Sequence, residues 1–306
     1  MHKDNINKRA VITGATGYIG SNLTKRLIEE KWKVLLLVRD PMKIDPCYFN
    51  SSNLVVHKIS KNDDFSKVFS DFKPEVVLHL ASLIKGESVT DLTESNIVFG
   101  IKILQSMEDN NIKHFVNTGT YWEHYGNSNY NPVDFYAATK HAFQNIVDSF
   151  VISAGIKAIT LKLHDVYGPN DKRKKILTKL IEVAISGKQL SMSPGDQKLS
   201  LVHVNDVTTG YFKAIEYILS EDYEGHQKYF LKSLDNHSLK DIVAIIEKCL
   251  GKKINANWGK IDYMERTIME PPDVIPALPG WKPNINLSQG ILSMLEESKN
   301  NKKSDQ

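Results

Sequence analysis

The chain has 306 residues, 41% of them hydrophobic and 25% charged, which is the composition of an ordinary globular protein with room for a large core and two lobes. Its formal net charge of +3 is too small to favour nucleic acid or an anionic membrane as a partner. No apolar run is long enough to span a bilayer, the first ten residues lack the apolar core of a signal peptide, and the two cysteines lie too far apart to share a metal. A reducing, cytoplasmic location without a metal site is therefore expected.

Short apolar runs alternate with helical patterns through the first half of the chain. Strands are predicted at 9–14, 32–40, 53–59, 75–82, 114–120 and 156–163, and the main helices at 17–32, 91–109 and 133–154. Strands that are apolar throughout and alternate with helices form a parallel sheet that is covered on both faces. The pattern predicts an α/β fold with a doubly wound parallel sheet.

The alternation ends near residue 168. A helix at 173–187 and a turn region rich in Ser, Pro and Gly precede a strand at 200–204 and a helix at 206–219. The later residues form a short strand KYFL, one amphipathic helix and a proline-rich segment. Three regions are predicted: a nucleotide-binding domain at 1–168 to which 200–220 returns, a smaller lobe at 169–199 and 221–296 over the carboxyl ends of the strands, and a flexible tail at 297–306.

The turn TGATGYIG (13–20) joins the first predicted strand to the first predicted helix. Gly14 allows a sharp turn, Gly17 allows the backbone to approach a pyrophosphate, and Gly20 allows the helix to pack close to the sheet. The helix N-terminus then presents free N–H groups and a positive dipole end to the phosphates. This context predicts a dinucleotide site, whereas a tight turn that binds nothing is the alternative.

The end of the second strand, VRDP (38–41), is where such a fold meets the adenosine ribose. An acidic side chain there favours a free 2′-hydroxyl, while an arginine accommodates a 2′-phosphate. Arg39 comes first, and Lys43 adds positive charge nearby, so NADP(H) is the predicted cofactor. Asp40 keeps NAD(H) open as the alternative.

The stretch FYAATKH (135–141) places a tyrosine and a lysine four residues apart on a predicted helix. Tyr136 and Lys140 therefore share one face, about one turn from each other. The pair by itself decides nothing, because such spacing is common on helix surfaces. Its interpretation depends on the other motifs of the chain.

Further segments accompany these motifs in a characteristic order: VVLHLAS, FVNTGT, YAATK, LKLHDVYGPN, LVHVNDV and LPGWKPNINLSQGI. Together they cover nearly the whole chain, which resembles the extended short-chain dehydrogenase/reductases, the NAD-dependent epimerase/dehydratase family. The resemblance implies a Rossmann sheet with a C-terminal substrate-binding lobe. It also implies a nucleotide-diphosphate sugar as the partner, and a homodimer formed by the helices at 91–109 and 133–154.

By this resemblance Thr120, Tyr136 and Lys140 are the catalytic residues. Tyr136 is the expected acid/base, and the charge of Lys140 is expected to lower its pKa from about 10 toward the working pH. Lys140 is also expected to hold the nicotinamide ribose. Thr120, at the end of the fifth strand, would hydrogen-bond the substrate oxygen, with a cap for the next turn as its alternative role.

The resemblance also distributes the binding contacts. Cofactor contacts are expected from Gly14, Thr16, Gly17, Tyr18, Ile19, Arg39, Ile59, Leu80, Ala81, Ser82, Thr118, Tyr136, Lys140 and Leu163. Substrate contacts are expected from Tyr121, Trp122, His124, Asp165, Arg173 and Arg266, for which loop packing or a solvated charge is the alternative. His79, within its apolar strand, is expected to be a core histidine.

The expected reaction is the NADPH-dependent reduction of the 4-keto group of a nucleotide-linked 4-keto-6-deoxy sugar, a step of deoxysugar biosynthesis. The 4,6-dehydratases of this family carry an Asp-Glu pair after the active-site threonine, but here Tyr121 and Trp122 follow it and Glu123 comes one position late. Arg39 favours NADPH, which is normally consumed rather than retained. A sugar epimerase that retains NAD is the alternative, and a non-catalytic NADP-binding sensor is a minor one.

Overall fold

The computed structural model describes residues 8–60 and 63–304, and the side chains of these residues up to position 297. The strands are β1 (Arg9–Thr13), β2 (Lys33–Val38), β3 (Leu54–Lys58), β4 (Val76–His79), β5 (His114–Thr120), β6 (Lys157–Leu163), β7 (Asp165–Tyr167), β8 (Leu190–Ser191), β9 (Lys198–Leu199), β10 (Leu201–His203), β11 (His226–Leu231), β12 (His237–Ser238) and β13 (Ala256–Asn257). The helices are α1 (Tyr18–Glu29), α2 (Ser66–Phe72), α3 (Val89–Thr93), α4 (Phe99–Asp109), α5 (Phe135–Ala154), α6 (Ile176–Ser186), α7 (Val204–Ile218), α8 (Leu239–Leu250) and α9 (Leu287–Ser304).

The main sheet has seven parallel strands in the order β11-β6-β5-β4-β1-β2-β3. Successive residues of a strand point to opposite faces, so Ala10 and Ile12 join one apolar core while Val11 joins another. Helices α1 and α7 cover the first face, and α2, α4 and α5 cover the second. This arrangement confirms the predicted doubly wound α/β fold.

A third apolar core lies outside the sheet and is built from α6, α8 and α9. Leu180, Ile242, Ile246 and Ile291 are its most deeply buried side chains. The lobe is joined to the main domain through β10, which pairs with β7. Strand β7 begins two residues after the end of β6. Among the described residues, no helix has both the length and the apolar composition needed to cross a membrane.

The structure differs from the sequence-based boundaries at three places. The strand β11, which the sequence placed in the smaller lobe, pairs with β6 at the edge of the main sheet. The backbone of 297–304, expected to be a flexible tail, continues α9, whereas 305–306 lie outside the described residues. The helix predicted at 91–109 is interrupted by a π-helical turn at Glu94–Val98.

Helices α4 and α5 approach each other at Gly100, where α4 has no side chain. A Cβ atom built on Gly100 would lie 2.3 Å from Cε2 of the fully buried Phe143. We expect Gly100→Ala to lower the free energy of unfolding by about 1–3 kcal/mol through overpacking, as measured by urea denaturation.

The matched control is the same change in a Phe143→Leu background, where the ring is absent. There Gly100→Ala should be neutral, or stabilising by up to about 1 kcal/mol from helix propensity. Equal losses in both backgrounds would mean that the contact with Phe143 does not set the distance between the helices.

Candidate active site

The glycine turn between β1 and α1 is shaped by close backbone approaches. Gly14 has φ of +73°, and a Cβ there would lie 2.6 Å from the backbone nitrogen of Ala81. A Cβ on Gly20 would lie 2.2 Å from the carbonyl oxygen of Gly14. Gly17 is the N-cap of α1 and offers no side-chain cap, so the first N–H groups of the helix remain for an anionic ligand.

The turn opens onto a cavity of about 970 Å³, large enough for a dinucleotide. The expected cofactor residues that line it are Gly14, Thr16, Gly17, Arg39, Ile59, Leu80, Ala81 and Ser82. Lys85 and Lys102 also line the cavity, although no local motif in the sequence singled them out. The eight expected residues come from four separate parts of the chain and meet only at the carboxyl edge of the sheet.

Six expected cofactor contacts lie outside the lining of this cavity, namely Tyr18, Ile19, Thr118, Leu163, Tyr136 and Lys140. The Tyr18 hydroxyl donates to the carbonyl of Pro169 at 3.0 Å, and the ring of Tyr18 lies beneath the Arg173 guanidinium at 4.4 Å. Thr118 shares a 2.5 Å hydrogen bond with the hydroxyl of Tyr211. Ile19 and Leu163 pack into the apolar core of the first sheet face.

The two residues that follow β2 have different roles in the structure. Arg39 lines the cavity, as does Lys43. The carboxylate of Asp40 instead accepts a hydrogen bond from the backbone N–H of Met42 at 3.1 Å and caps the turn Pro41–Lys43. The basic side chain therefore faces the ligand space, and the acidic one is engaged in local structure.

Tyr136 lies in the first turn of α5, whose N-cap Asp134 accepts from the Ala137 N–H at 2.9 Å. Its ring makes an edge contact with Trp122, with ring centroids 6.2 Å apart. Burial raises the pKa of Tyr136 to about 12, and a hydrogen bond with Ser82 only partly opposes that shift. This direction is opposite to the expected lowering, because desolvation of the tyrosinate and the negative charges of Glu123 and Asp134 all raise the pKa.

Lys140 is 1% exposed, and its Nζ has no hydrogen-bond partner within the part of the chain that the structure describes. Burial lowers the pKa of Lys140 to about 8, while the negative charge of Glu123 opposes the shift. A buried donor without a partner is costly unless a ligand supplies an acceptor. The hydroxyl-rich ribose of a nicotinamide cofactor has the required acceptors, so Lys140 and the glycine turn both fit a dinucleotide.

Thr120 combines both roles that the sequence allowed. Its Oγ1 accepts from the backbone N–H of Trp122 at 3.3 Å and caps the turn Tyr121–Glu123. A hydroxyl that accepts one bond keeps its own proton for donation. The cap therefore orients Thr120 without consuming its donor.

The expected substrate residues divide into two groups. Trp122 is half-buried beside Tyr136. Tyr121 is buried, donates to Asp165 at 2.7 Å and stacks on His164 with ring centroids 4.6 Å apart. Trp122 therefore brings aromatic surface next to Tyr136, while Tyr121 and Asp165 are paired with each other.

The second group is engaged in structure. His124 is buried, its Nδ1 donates to the carbonyl of Ser128 at 3.0 Å, and its Nε2 accepts from Lys162 at 2.9 Å. Arg173 forms a bidentate pair with Asp171, both bonds being 2.7 Å long. The expectation that His124 and Arg173 contact a substrate is therefore not supported by their geometry, because their polar atoms already have partners.

Arg266 is held over the ring of Tyr125 at 4.3 Å and donates to Asn131. Its Nε is buried and finds no partner in residues 8–60 and 63–304. Sequence reasoning missed Lys162 and His164 of the same region. The one available signal was a lysine inside the apolar strand KAITLKL, which is unusual for a strand covered on both faces.

Comparison with known proteins identifies the family of the chain. The model of the NAD dependent epimerase/dehydratase family matches residues 10–224. The CDP-abequose synthase of Yersinia pseudotuberculosis is 29% identical over 272 residues, which are 86% of this chain and 91% of that protein. The CDP-abequose synthase of Salmonella muenchen is 26% identical over 301 residues, which are 95% of this chain and 98% of that protein.

Solved structures share the fold over nearly the whole chain. The UDP-glucose 4-epimerase of Thermotoga maritima, solved with UDP-glucose, has a TM-score of 0.82 at 17% identity and covers 96% of this chain and 99% of its own. The UDP-glucose 4-epimerase of Thermus thermophilus, solved with NAD, has a TM-score of 0.78 at 19% identity and covers 95% and 99%.

The chain belongs to the NAD dependent epimerase/dehydratase family, since the family model covers well over half of its residues. It is an oxidoreductase of the extended short-chain dehydrogenase/reductase type. The resemblance predicted from the motifs is thereby confirmed.

The unpartnered ammonium of Lys140 has a measurable consequence for stability. Its pKa of about 8 lies below the unfolded value of about 10.4, so its cost is complete below pH 8 and disappears as the pH rises toward 10.4. We expect Lys140→Met to stabilise the cofactor-free protein at pH 7 by as much as about 3 kcal/mol, with the gain shrinking by pH 9.5. Urea denaturation at the two pH values measures it.

The matched control is Lys162→Met, which removes a buried lysine that does have a carboxylate partner. It should destabilise the protein, because it leaves the carboxylate of Glu123 buried with fewer donors. A Lys140→Met protein that is less stable than the wild type at pH 7 would contradict the assignment of Lys140 as a buried charge whose burial costs stability.

Proposed function

We propose that the enzyme reduces the 4-keto group of a nucleotide-linked 4-keto-6-deoxy sugar and consumes NADPH. The proposal is carried by the different positions of the charged side chains that follow β2. Arg39 and Lys43 line the cavity, whereas the carboxylate of Asp40 caps the turn Pro41–Lys43. Two cationic side chains at the ribose end suit a 2′-phosphate, and an NADPH-dependent enzyme of this family is normally a reductase.

The cofactor, when bound, supplies the hydride. Tyr136 holds its proton at neutral pH, because burial raises its pKa, and it delivers that proton to the oxygen of the reduced carbon. Thr120 donates a hydrogen bond to the same oxygen with the proton that its cap leaves free. Lys140 holds the nicotinamide ribose. A tyrosine that is protonated at rest favours the reductive direction.

The substrate class is supported by the relatives. Two CDP-abequose synthases match nearly the full chain, which favours a nucleotide-linked deoxy sugar. Trp122 and Tyr121 provide a wall for an apolar sugar face, and Asp165 accepts from hydroxyl groups at the same edge. The base of the nucleotide stays open among CDP, dTDP, GDP and UDP.

An epimerase that retains NAD is the second candidate. It is favoured by solved structures of similar fold, several of which are 4-epimerases. The two candidates differ in how firmly the protein holds its cofactor, since an epimerase returns the hydride within one catalytic cycle. The expected homodimer through the region of α4 and α5 stays a prediction.

The first test is the purified protein with NADPH and a panel of CDP-, dTDP-, GDP- and UDP-4-keto-6-deoxy sugars. We expect loss of nicotinamide absorbance with one base, and a loss of at least about 100-fold in kcat for Tyr136→Phe, which lacks the proton donor. Tyr130→Phe, an exposed tyrosine near the same loop, is the control and should keep wild-type activity. Cofactor that survives purification, without oxidation by any sugar, would instead support the epimerase.

The cofactor preference is tested at Arg39. Arg39→Ala should raise the Kd for NADPH by roughly 10-fold or more and leave the Kd for NADH nearly unchanged, because a charge-assisted contact to the 2′-phosphate is worth about 1.5–3 kcal/mol. Nicotinamide fluorescence gives both constants. Arg26→Ala, an exposed arginine of α1 paired with Glu30, is the control. Equal losses for both cofactors would refute the 2′-phosphate contact.

A further inference from the structure

A buried carboxylate lies beneath the catalytic residues and joins three elements. Glu123 is fully buried, and its Oε2 accepts from Lys162 of β6 at 2.8 Å and from His141 of α5 at 3.0 Å. Gln144 of α5 donates to the same oxygen. The other oxygen, Oε1, faces the backbone N–H of Thr120 at 3.4 Å and completes a capping box. One side chain therefore connects the turn after β5 with β6 and α5.

The network around Glu123 is nearly saturated. Lys162 donates both to Glu123 and to Nε2 of His124, whose Nδ1 donates to a backbone carbonyl, so His124 is neutral. Burial alone would raise the pKa of Glu123, but the bond from His141 and the charge of Lys162 outweigh burial and lower the pKa. Glu123 is therefore an anion with fixed donors rather than a proton carrier for a substrate.

The same carboxylate is linked to the catalytic pair. Gln144, which donates to Glu123, lies one turn after Lys140 and is also 3.4 Å from the carbonyl oxygen of Lys140. Among the described residues the Lys140 ammonium has no hydrogen-bond partner, so an anion acts on it through its charge and not through a direct bond. Glu123 is the anion that fulfils this role.

We propose that Glu123 is a positioning residue of the active site: its buried carboxylate holds the turn that presents Thr120 and supplies the countercharge that keeps Lys140 protonated. The inference rests on the proposed catalytic roles of Thr120, Tyr136 and Lys140. It gives Glu123 a function different from substrate proton transfer, since protein donors already bind both of its carboxylate oxygens.

Several other charged or titratable groups face this centre. His79 of β4 lies against Lys140 but is buried and neutral, because burial and the Lys140 charge lower its pKa to about 3. Asp134 faces Tyr136 at the start of α5. Lys228 of β11 faces Lys162. The remaining groups are those already described: Tyr136, His141, Lys162 and His124.

The experiment is an NMR titration of the full-length protein labelled with [13Cε]lysine, with Lys140 and Lys162 assigned from Lys140→Met and Lys162→Met. In the wild type, Lys140 should titrate near pH 8, far below an exposed lysine at about 10.4. In Glu123→Gln, its midpoint should fall by about one pH unit, because the compensating charge is gone. In turnover, the alkaline limb of kcat should move to lower pH with it, since Glu123 also raises the pKa of Tyr136.

The matched control is Asp148→Asn on the same helix. Asp148 also pairs with a histidine and a lysine, His226 and Lys228, but two turns away from Lys140. It should lower stability and leave the Lys140 midpoint unchanged. The double variant Glu123→Gln/Lys162→Met should recover stability and keep the lowered midpoint, which separates the electrostatic role from folding.

An unchanged or raised Lys140 midpoint in Glu123→Gln would overturn the inference and leave Glu123 a purely structural carboxylate. The titration needs neither substrate nor cofactor. A protein that reduces no sugar of the panel but shows the lowered midpoint would therefore refute the proposed reaction and not the role of Glu123. Reduction of a sugar, together with an unchanged Lys140 midpoint in Glu123→Gln, would refute the role of Glu123 and not the proposed reaction.

Discussion

The burial of the Lys140 ammonium is the constraint around which the active site is organised. A charge without a hydrogen-bond partner in the interior is costly, and single domains have only about 5–15 kcal/mol of stability from which to tolerate it. The anion of Glu123 limits this cost, and His79, which faces Lys140, is neutral and adds no positive charge. A ligand that supplies hydrogen-bond acceptors to this ammonium would relieve the remaining cost.

The raised pKa of Tyr136 also follows from surroundings of low polarity. Tyr136 is only partly buried, but the protein around its ring removes enough hydration from the phenolate to raise its pKa. A family resemblance alone suggested the opposite shift, since it considers the charge of the lysine and not the burial of both groups. The resting protein thus holds a protonated acid beside an incompletely satisfied cation, and that pairing suits delivery of a proton.

The glycine turn and the catalytic turn show how one region serves structure and chemistry together. Gly14 and Gly20 exclude side chains so that backbone atoms can meet, and this contact leaves the N-terminus of α1 facing the cavity. At the other end, Thr120 caps its turn with a lone pair and keeps its proton. In both places a requirement of the fold orients the group that a ligand would use.

The sequence by itself determined the doubly wound sheet, the glycine turn and the shared face of Tyr136 and Lys140, because these depend on local periodicity and on residue types at fixed spacing. Only the tertiary structure decided that β11 joins the main sheet, that Arg173 pairs with Asp171, and that Lys162 bonds to both Glu123 and His124. Those outcomes depend on pairing between residues far apart in the chain and on competition for donors, which no local pattern encodes. The direction of the Tyr136 pKa belongs to the same group, since burial is a property of the assembled fold and not of the motif.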